Sequence, residues 1–539
     1  MDKVRTWRTA LRDAANLSGW TFLDGHEANF INKIVEEISA QVSKRSYLNV
    51  ARRSRLWFHE DVYRVLTENT GSNKVKGIRV ELLREDEICL SAKCFKKMKN
   101  LQLFININAR FSGEVDYLPN QLRFLDWPGF PLQSFPSDFN PQKLVELNIP
   151  YSRIKRLGQG FKNLQNLKSL SFGSCPKLVP FSNKVEYTEV PTPTSNSKIS
   201  RYGKAISSER ESDDEHRQGN LAFPRLGGLD VRGCNIWDCG FLMTLGCAST
   251  LRVMDLSANN FVTLPACISK FINLEELKLI DCKRLQQVPK LPPNMKKLHV
   301  SGCVSLERIS KLSNILNRQE SQMLEWMDLT NCWRLCDNLV HEAEKKGLLV
   351  NDHHLFSLFL SSQKSAFEVV FPGSHEIPKW FSSQMDFKGN GLFEFYIDVL
   401  PNFKWENTGL ALCVAAEENV PWEFQIWINE EQVKSNVDRI GHNYKYHRYR
   451  EPDSAWVWLF YIPFNLIDLR PFGYKRPLPP FQCRVIIYQW VYSGVVPFKG
   501  CGVHLVMPPN EGLCMKLSHA QNLTDYFLIP TNDSKLQKF

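Results

Sequence analysis

A short leucine pattern recurs along the middle of the chain and constrains its fold more than any other feature. Copies of L-x-x-L-x-L-x-x-N/C begin at Leu122, Leu144, Leu167, Leu226, Leu251, Leu274, Met295 and Leu324, with a further candidate near Leu101. The intervals between the first eight starts are 22, 23, 59, 25, 23, 21 and 29 residues, and all but one fit a leucine-rich repeat. The pattern predicts a solenoid in which each repeat supplies a short strand with inward-pointing leucines.

One position of the repeat carries a residue that can cap the turn after each strand. It lies eight residues after the repeat start and holds the ladder residues Cys175, Cys234, Asn259, Cys282, Cys303 and Cys332. We expect these side chains to bond to backbone groups of neighbouring turns. Their periodicity favours this packing role over metal binding or nucleophilic catalysis.

The one long interval contains a segment of different composition. Residues 182–220 hold 6 basic and 7 acidic residues but few large apolar groups, so they cannot bury enough surface to fold alone. We predict a disordered loop inserted between two repeats. A phosphorylated regulatory loop is the alternative.

From about Phe367 onward, apolar and polar residues alternate as in half-buried strands. Predicted strands lie at Phe393–Val399, Gly409–Ala416, Trp422–Ile428, Trp456–Ile462, Cys483–Trp490 and Gly502–Met507. Short strands between Pro- and Gly-rich turns indicate a jelly-roll or Ig-like sandwich. The expected fold is an α/β leucine-rich-repeat solenoid followed by an all-β sandwich, preceded by a short α-helical segment in residues 1–45.

Composition suggests a compartment but no nucleic-acid partner. We find no apolar core of a secretion signal near the start and no apolar run of about 18 residues that could span a membrane. The expected location is the cytoplasm, with the nucleus second, and the 15 cysteines should be reduced thiols. The net charge of +10 comes from 67 basic and 57 acidic residues, a balance too diffuse to indicate nucleic-acid binding.

A histidine pair and a His–Glu pair could suggest metal chemistry. His353–His354 follow Asp352, but the leucines after them favour a helix that covers the repeats. His375–Glu376 lacks the second histidine of a zinc hydrolase motif. We interpret neither pair as a metal site, and no Ser/His/Asp or Cys/His constellation is supported.

Three basic segments could bind other molecules. Lys283–Arg284 and Lys296–Lys297 lie on or near repeat strands, where a basic stripe could bind nucleic acid. The neighbouring Glu275–Glu276 favour an ordinary solvated surface. Tyr444–Arg450 interleaves aromatic and cationic residues, which suits a binding loop, although a plain β-turn region is the simpler interpretation.

Five groups of residues follow one another in the order of a known receptor architecture. They are Trp7–Leu11 with Ala15–Trp20, Phe30–Ile31 with Ile34–Val35, Ser54–Trp57 with Asp61–Val62, Leu118 through Trp127–Pro131, and Phe371–Ser374 with Glu376–Pro378 and Trp380–Phe381. They resemble plant intracellular immune receptors of the Toll/interleukin-receptor, nucleotide-binding, leucine-rich-repeat class. In that family these segments come from the last Toll/interleukin-receptor helix, the linker, the end of the nucleotide-binding module, the early repeats and the post-repeat β domain.

The resemblance implies that catalytic parts of such a receptor are not in this sequence. The family's glutamate for NAD cleavage lies early in the Toll/interleukin-receptor domain, to which no residues here correspond. The nucleotide-binding module is expected between Ala51 and Ser54, and no G-x-x-x-x-G-K-[ST] motif occurs. We therefore expect no catalytic, cofactor-binding or metal-binding residues, no cofactor and no enzymatic activity.

The resemblance also suggests domain boundaries. The predicted segments are a helical remnant of the Toll/interleukin-receptor domain at 1–50, the end of the nucleotide-binding module with the repeat cap at 51–97, the repeats at 98–335, a helical cap at 336–365, the β domain at 366–508 and a tail at 509–539.

By resemblance, the chain should recognise a pathogen effector or a guarded host protein, and a full-length receptor of the family is a second expected partner. Stacked strands present the residues between the leucines on a concave face. The predicted contact residues are Glu276, Lys278, Ile280, Asp281, Lys297, His299, Ser301, Trp326, Asp328 and Thr330. The alternatives are an NAD nucleosidase with an ADP-binding switch whose missing parts lie in a longer transcript, a substrate adaptor of a ubiquitin ligase, and a regulatory decoy.

Overall fold

The structure is a computed structural model that describes most of the repeats and of the β domain. The described residues are 53–82, 87–179, 222–310, 324–345, 366–372, 377, 381–386, 392–399, 408–416, 422–435, 456–464, 467–468, 480–489, 498–506 and 515–521. They form two compact units. The first runs to Ser152 and includes Leu157–Phe161, and the second comprises Arg153–Arg156 and the chain from Lys162 onward.

The first unit is a parallel sheet with one helix. Its elements are β1 (Arg55–Leu56), α1 (His59–Glu68), β2 (Gly77–Val80), β3 (Glu87–Cys89), β4 (Leu103–Asn106), β5 (Arg110–Ser112), β6 (Phe124–Asp126) and β7 (Glu146–Asn148). The strands pair in the order β1-β2-β4-β6-β7, and β3 pairs with β5. Trp127 anchors the core, since its ring lies 4.4 Å from that of Phe104 and 5.2 Å from that of Phe130.

The repeats of the second unit form three-residue parallel strands. They are β8 (Ser169–Ser171), β9 (Gly228–Asp230), β10 (Val253–Asp255), β11 (Glu276–Lys278), β13 (Lys297–His299) and β15 (Trp326–Asp328). The central residue of each strand is a buried leucine or methionine, and its two neighbours face the other side. Between strands, 3-10 helices at Gly240–Met243 and Ala266–Lys270 and the short pair β12 (Gln287–Val288) and β14 (Arg308–Ile309) take the place of the α-helices implied by an α/β solenoid. Repeats of 21 to 25 residues leave little chain for a longer helix.

The ladder residues bond between neighbouring turns. The Sγ atoms of Cys234, Cys303 and Cys332 lie 3.1, 3.0 and 2.9 Å from the carbonyl oxygens of Phe172, Leu279 and Val300 in the preceding repeats. Burial raises the pKa of the Cys234 thiol to about 12. These thiols are therefore neutral packing groups rather than reactive thiolates.

The ladder asparagine makes a larger set of bonds. Nδ2 of Asn259 donates to the carbonyls of Val231 (3.0 Å) and Leu256 (2.8 Å). Its Oδ1 accepts from the backbone N–H groups of Cys234 (3.1 Å) and Ile236 (3.0 Å). One buried side chain thus satisfies backbone groups of two adjacent turns.

The residue before each ladder position turns the chain sharply. All six have φ between 53° and 74°, namely Ser174, Gly233, Ala258, Asp281, Gly302 and Asn331. At Gly302 a Cβ atom would lie 2.1 Å from Oδ1 of Asp281, so the neighbouring turn leaves no room for a side chain. Asp281, predicted as a contact residue, is thus also part of the turn.

The C-terminal region is a two-sheet sandwich whose first sheet continues the repeat sheet. Its elements are α2 (Trp333–Lys345), β16 (Phe367–Pro372), β17 (Ser383–Asp386), β18 (Leu392–Val399), β19 (Gly409–Ala416), β20 (Trp422–Ile428), β21 (Glu431–Ser435), β22 (Trp456–Pro463), β23 (Ile467–Asp468), β24 (Phe481–Gln489), β25 (Phe498–Val506) and β26 (Met515–Gln521). The first sheet runs β15-β16-β22-β19-β25-β17 and the second β23-β21-β20-β24-β18-β26. The six predicted strands are present, which confirms the sandwich.

The junction between repeats and sandwich is a parallel strand pair. β15 pairs with β16 in the register Trp326–Glu368, Met327–Val369 and Asp328–Val370. Two further backbone bonds join them, from Glu368 N to Glu325 O (3.0 Å) and from Leu329 N to Val370 O (2.8 Å). The side of the sheet that faces away from the repeat core therefore becomes the inner side of the sandwich.

Two predicted boundaries differ from the structure. The predicted tail includes Met515–Gln521, which form β26 and pair with β18. The final strand was missed because its polar residues lack a clear apolar alternation. The predicted cap at 336–365 begins earlier, since α2 starts at Trp333 directly after the last ladder residue.

Several sequence predictions lie outside the described residues. They are the helices of 1–45, the remnant at 1–50, the insertion at 182–220, the histidine pair at 353–354, the His–Glu pair at 375–376, and the segment 444–450. Among the helices in the described part of the chain, none combines the length and apolar character needed to cross a membrane.

Candidate partner-binding surface

The residues beside each buried strand centre line up across the repeats of the second unit. One row contains Ser169, Gly228, Val253, Glu276, Lys297 and Trp326, and the other contains Ser171, Asp230, Asp255, Lys278, His299 and Asp328. We call these two rows the concave surface. Neighbouring strands lie about 4.8 Å apart, so side chains in a row are close enough to interact.

The ten predicted contact residues divide by exposure. Glu276, Lys278, Ile280, Asp281, Lys297 and His299 are half-buried and accessible, whereas Ser301, Trp326, Asp328 and Thr330 are buried. The repeat pattern alone could not reveal this division. For Trp326 and Asp328 the burial arises because β15 pairs with β16 of the sandwich, which covers their face of the sheet.

Trp326 and Asp328 are structural residues of the junction. The Trp326 ring lies 5.5 Å from that of Trp458 in the sandwich and 6.0 Å from that of His299. Oδ1 of Asp328 accepts bonds from the backbone N–H (3.0 Å) and the hydroxyl (2.7 Å) of Thr330. Next to β13, the concave surface therefore ends at the buried rings of Trp326 and Trp458, which we call the aromatic wall.

Glu276 contacts two basic residues within the accessible part of the concave surface. Its Oε1 lies 3.2 Å from Nε2 of His299 and 3.4 Å from Nζ of Lys278. The polar contact with His299, followed by the Lys278 charge, outweighs partial burial and lowers the pKa of Glu276 to about 2. Glu276 is thus ionised and already paired, whereas Lys297 has no carboxylate within ion-pair distance on the described surface.

A buried acid, Glu368, lies beyond Trp326 in the row that contains Lys297. Burial, only partly offset by Trp458 and by the Lys297 charge, raises the pKa of Glu368 well above its usual value. The Oε2 atom of Glu368 has no hydrogen-bond partner. Burial therefore favours the neutral form of Glu368, which compensates the charge of Lys297 less than an ionised carboxylate would.

Two aspartates give the other end of this surface the opposite sign. Burial, followed by the nearby Asp255 charge, raises the pKa of Asp230. Asp230 also accepts a bond from Ser171 (3.1 Å) and lies 3.5 Å from Arg232. The sequence analysis missed Asp230 and Asp255, although both occupy the repeat position of Lys278 and could have been found from it.

The first unit has an acidic pair at the corresponding repeat positions. Burial raises the pKa of Asp126, opposed by a 2.8 Å bond from Nδ2 of Asn148. Burial and the Asp126 charge raise the pKa of Glu146. The exposed Phe124 lies beside them on the same strand face.

The described residues contain no group of three or more His, Cys, Asp and Glu side chains placed to hold a metal ion. The polar groups of the concave surface instead pair across strands. This arrangement suits contact with another macromolecule.

Comparison with known proteins identifies the repeats. The family described as "Disease resistance protein RPS4B-like, leucine-rich repeats" matches residues 140–332. The repeats at 140–332 are therefore similar to those of plant disease-resistance proteins. Disease resistance protein RPP2A of Arabidopsis thaliana is 31% identical over 44% of this chain, and disease resistance protein RPS4B of the same plant is 26% identical over 63%. These similarities confirm the resemblance to Toll/interleukin-receptor, nucleotide-binding, leucine-rich-repeat proteins.

The coverage of the relatives is partial. The matches span 19% of RPP2A and 36% of RPS4B. Among solved structures, a leucine-rich-repeat protein of Leptospira interrogans aligns with 52% of this chain and 79% of its own, at a TM-score of 0.26 and 17% identity. The fold assignment rests on the strand pairing of this chain itself.

Proposed function

We propose that this chain is the recognition part of an intracellular plant immune receptor and binds a protein partner on its concave surface. The expected partner is a pathogen effector or a guarded host protein. The supporting observation is that this surface has two ends of opposite charge, Asp230 and Asp255 at one end and Lys278 and Lys297 at the other. Asp230 pairs with Arg232 and Lys278 with Glu276, so Asp255 and Lys297 are the charges best placed to meet a partner of complementary charge.

The spacing of the charges restricts how charged groups can be arranged on the partner. From β9 and β10 to β13 there are two or three strand steps, or about 10–14 Å. A fitting partner therefore carries a cation and an anion at that separation on one face. The aromatic wall at Trp326 ends the surface, so the partner's acidic end would lie against the sandwich.

The test compares two neighbouring lysines. Lys297 faces the concave surface, whereas Lys296 precedes the strand and lies 3.5 Å from Glu275. In co-precipitation from leaf tissue with a panel of secreted pathogen proteins, we expect Lys297→Glu to reduce capture of a bound partner about tenfold. The matched control Lys296→Glu should change capture less than twofold.

A second reversal checks the other end of the surface. Asp255→Lys should reduce capture of the same partner to a similar extent. A partner that binds both variants as tightly as the wild type would show that recognition lies elsewhere on the chain. The purified chain should hydrolyse no NAD and bind no ADP, and measurable hydrolysis would favour the nucleosidase alternative.

A decoy role makes a different prediction. A decoy pairs with full-length receptors of the family, so its co-precipitation with them would depend on residues 1–45. Deleting those residues should leave capture of a partner on the concave surface unchanged, and loss of that capture would contradict the proposed site.

A further inference from the structure

A second surface lies on the flank of the repeats, at the turns that follow the ladder residues. We call it the turn flank and define it by Trp237, Val262, Lys283, Arg284 and Arg308. Backbone bonds make it continuous, from Asn260 N to Ile236 O (2.8 Å), from Gln286 N to Val262 O (2.8 Å) and from Glu307 N to Gln286 O (2.9 Å). None of these residues belongs to the concave surface.

Trp237 is an exposed aromatic residue in a fixed orientation. Its side chain is 59% exposed. Nε1 donates to Oδ1 of Asn235 (3.1 Å), and the same oxygen accepts from Nδ2 of Asn260 (2.6 Å). Cζ of Arg284 lies 4.6 Å from the ring centroid, within cation–π distance. A large ring held in place before a partner arrives loses little entropy on binding.

Among the described residues, no carboxylate lies within ion-pair distance of a cation of the turn flank. Arg284 stacks on Trp237, Arg308 bonds to Oε1 of Gln287 (3.2 Å), and Lys283 has no side-chain contact with a carboxylate. From the sequence, the neighbouring glutamates seemed to balance this charge. In the structure Glu275 pairs with Lys296 and Arg252. Glu276 pairs with Lys278 and His299, whereas Lys283 and Arg284 pair with neither glutamate.

The nearby acidic groups are engaged elsewhere. Glu307 pairs with Arg334 at 3.5 Å. Asp238 accepts a bond from the backbone N–H of Gly240 at 2.9 Å. The turn flank therefore presents one exposed tryptophan with Arg284 stacked on it, and two further cations, Lys283 and Arg308, along the same series of turns.

We infer that the turn flank binds an acidic polypeptide segment of a partner protein, with an apolar side chain of that segment seated on Trp237. Charge complementarity supports an acidic partner, and tryptophan with arginine is the pair most enriched at the centres of protein interfaces. A single strand of nucleic acid fits less well. It needs successive aromatic platforms, and Trp237 is the one aromatic residue in the turn flank as defined.

The test uses a short synthetic probe and fluorescence polarisation. The probe is a fluorescein-labelled Asp-Glu-Asp-Phe-Glu-Asp-Glu peptide, measured with the full chain at about 50 mM salt, where charge interactions are weakly screened. We expect saturable binding that weakens as salt is raised. Both Trp237→Ala and the double variant Lys283→Glu/Arg284→Glu should weaken it about tenfold.

Two milder variants separate the contributions. Arg284→Lys keeps the charge but loses the planar stacking group, so binding should weaken a few-fold. Asn235→Ala releases the indole N–H and should also weaken binding a few-fold, with the melting temperature showing that the chain remains folded. Unchanged binding in Trp237→Ala would overturn the inference.

A matched control accounts for the overall positive charge. Lys270→Glu/Lys290→Glu removes the same charge from exposed positions outside the turn flank, and the probe should bind this variant within twofold of the wild type. Equal weakening in the control would overturn the inference, because binding would then be diffuse. Absence of probe binding, or tighter binding of a labelled oligouridine, would overturn it as well. None of these outcomes affects the role proposed for the concave surface.

Discussion

The ladder asparagine offers a direct test of how the repeats are held together. Asn259 is 2% exposed and connects the turn of one strand to that of the strand before it. Asn259→Ala removes the acceptor of two buried backbone N–H groups, those of Cys234 and Ile236. It also removes the donor to the Val231 carbonyl. The substitution alters neither the protein surface nor any apolar side chain of the core.

The structure allows the cost to be estimated. A buried donor left without a partner costs about 1–3 kcal/mol. Two such donors, with some relaxation of the turn, give about 3–5 kcal/mol. Asn259→Cys should lose about half as much, because a thiol can donate one bond as the other ladder cysteines do but cannot accept both N–H groups.

Hydrogen exchange measured by mass spectrometry can locate the effect. In Asn259→Ala, amides of a peptide spanning residues 231–238 should exchange faster by about two to four orders of magnitude, since 1.36 kcal/mol corresponds to tenfold. The control is Asn294→Ala, which removes one exposed bond to the Ile272 carbonyl (2.7 Å) and should cost about 0.5 kcal/mol or less. Unchanged exchange at 231–238 would refute the argument that one side chain secures two turns.

Three further variants probe the junction and its charges. The pKa of Glu276 lies below its unfolded value, so its contribution to stability should be complete above about pH 4.5 and fall toward pH 2; in urea unfolding, Glu276→Gln should remove that dependence. The raised pKa of Glu368 has the opposite sign: Glu368→Gln should stabilise the chain at pH 7 and have little effect below pH 4.5, and equal effects at both pH values would contradict the assignment. Trp326→Ala removes the contact with Trp458 and should cost about 3–5 kcal/mol, measured as a lower melting temperature, whereas an unchanged melting temperature would show that the wall is not part of the core.

The parts of the fold that the sequence predicted depend on local signals. The repeat strands follow from leucine spacing, and two sandwich strands, Gly409–Ala416 and Trp422–Ile428, have the predicted bounds. Each signal needs fewer than ten consecutive residues. Inward and outward positions then follow from the twofold alternation of a strand.

The parts that escaped prediction depend on long-range pairing. Trp326 occupies a repeat position that is half-buried or exposed in the preceding repeats, and the pairing of β15 with β16 buries it. Burial of Glu368 has the same origin, since an acid in a strand is otherwise assigned to the solvent side. The opposite charges of the concave surface could have been predicted from the sequence, because the repeat register places Asp230 and Asp255 at the position of Lys278.

The parallel pairing of β15 with β16 also determines where the chain can be divided. The predicted boundary at residue 366 falls between two strands of one sheet. A fragment that began there would leave β16 as an unprotected edge strand, ready to pair with a second molecule, and would uncover the surface of Trp458 that contacts Trp326. The smallest independent piece that contains the sandwich must therefore begin upstream of β15 and include at least the last repeat. For the same reason, lengthening the connection between α2 and β16 would leave the orientation of the sandwich unchanged, because backbone bonds between strands set it rather than the length of the linker.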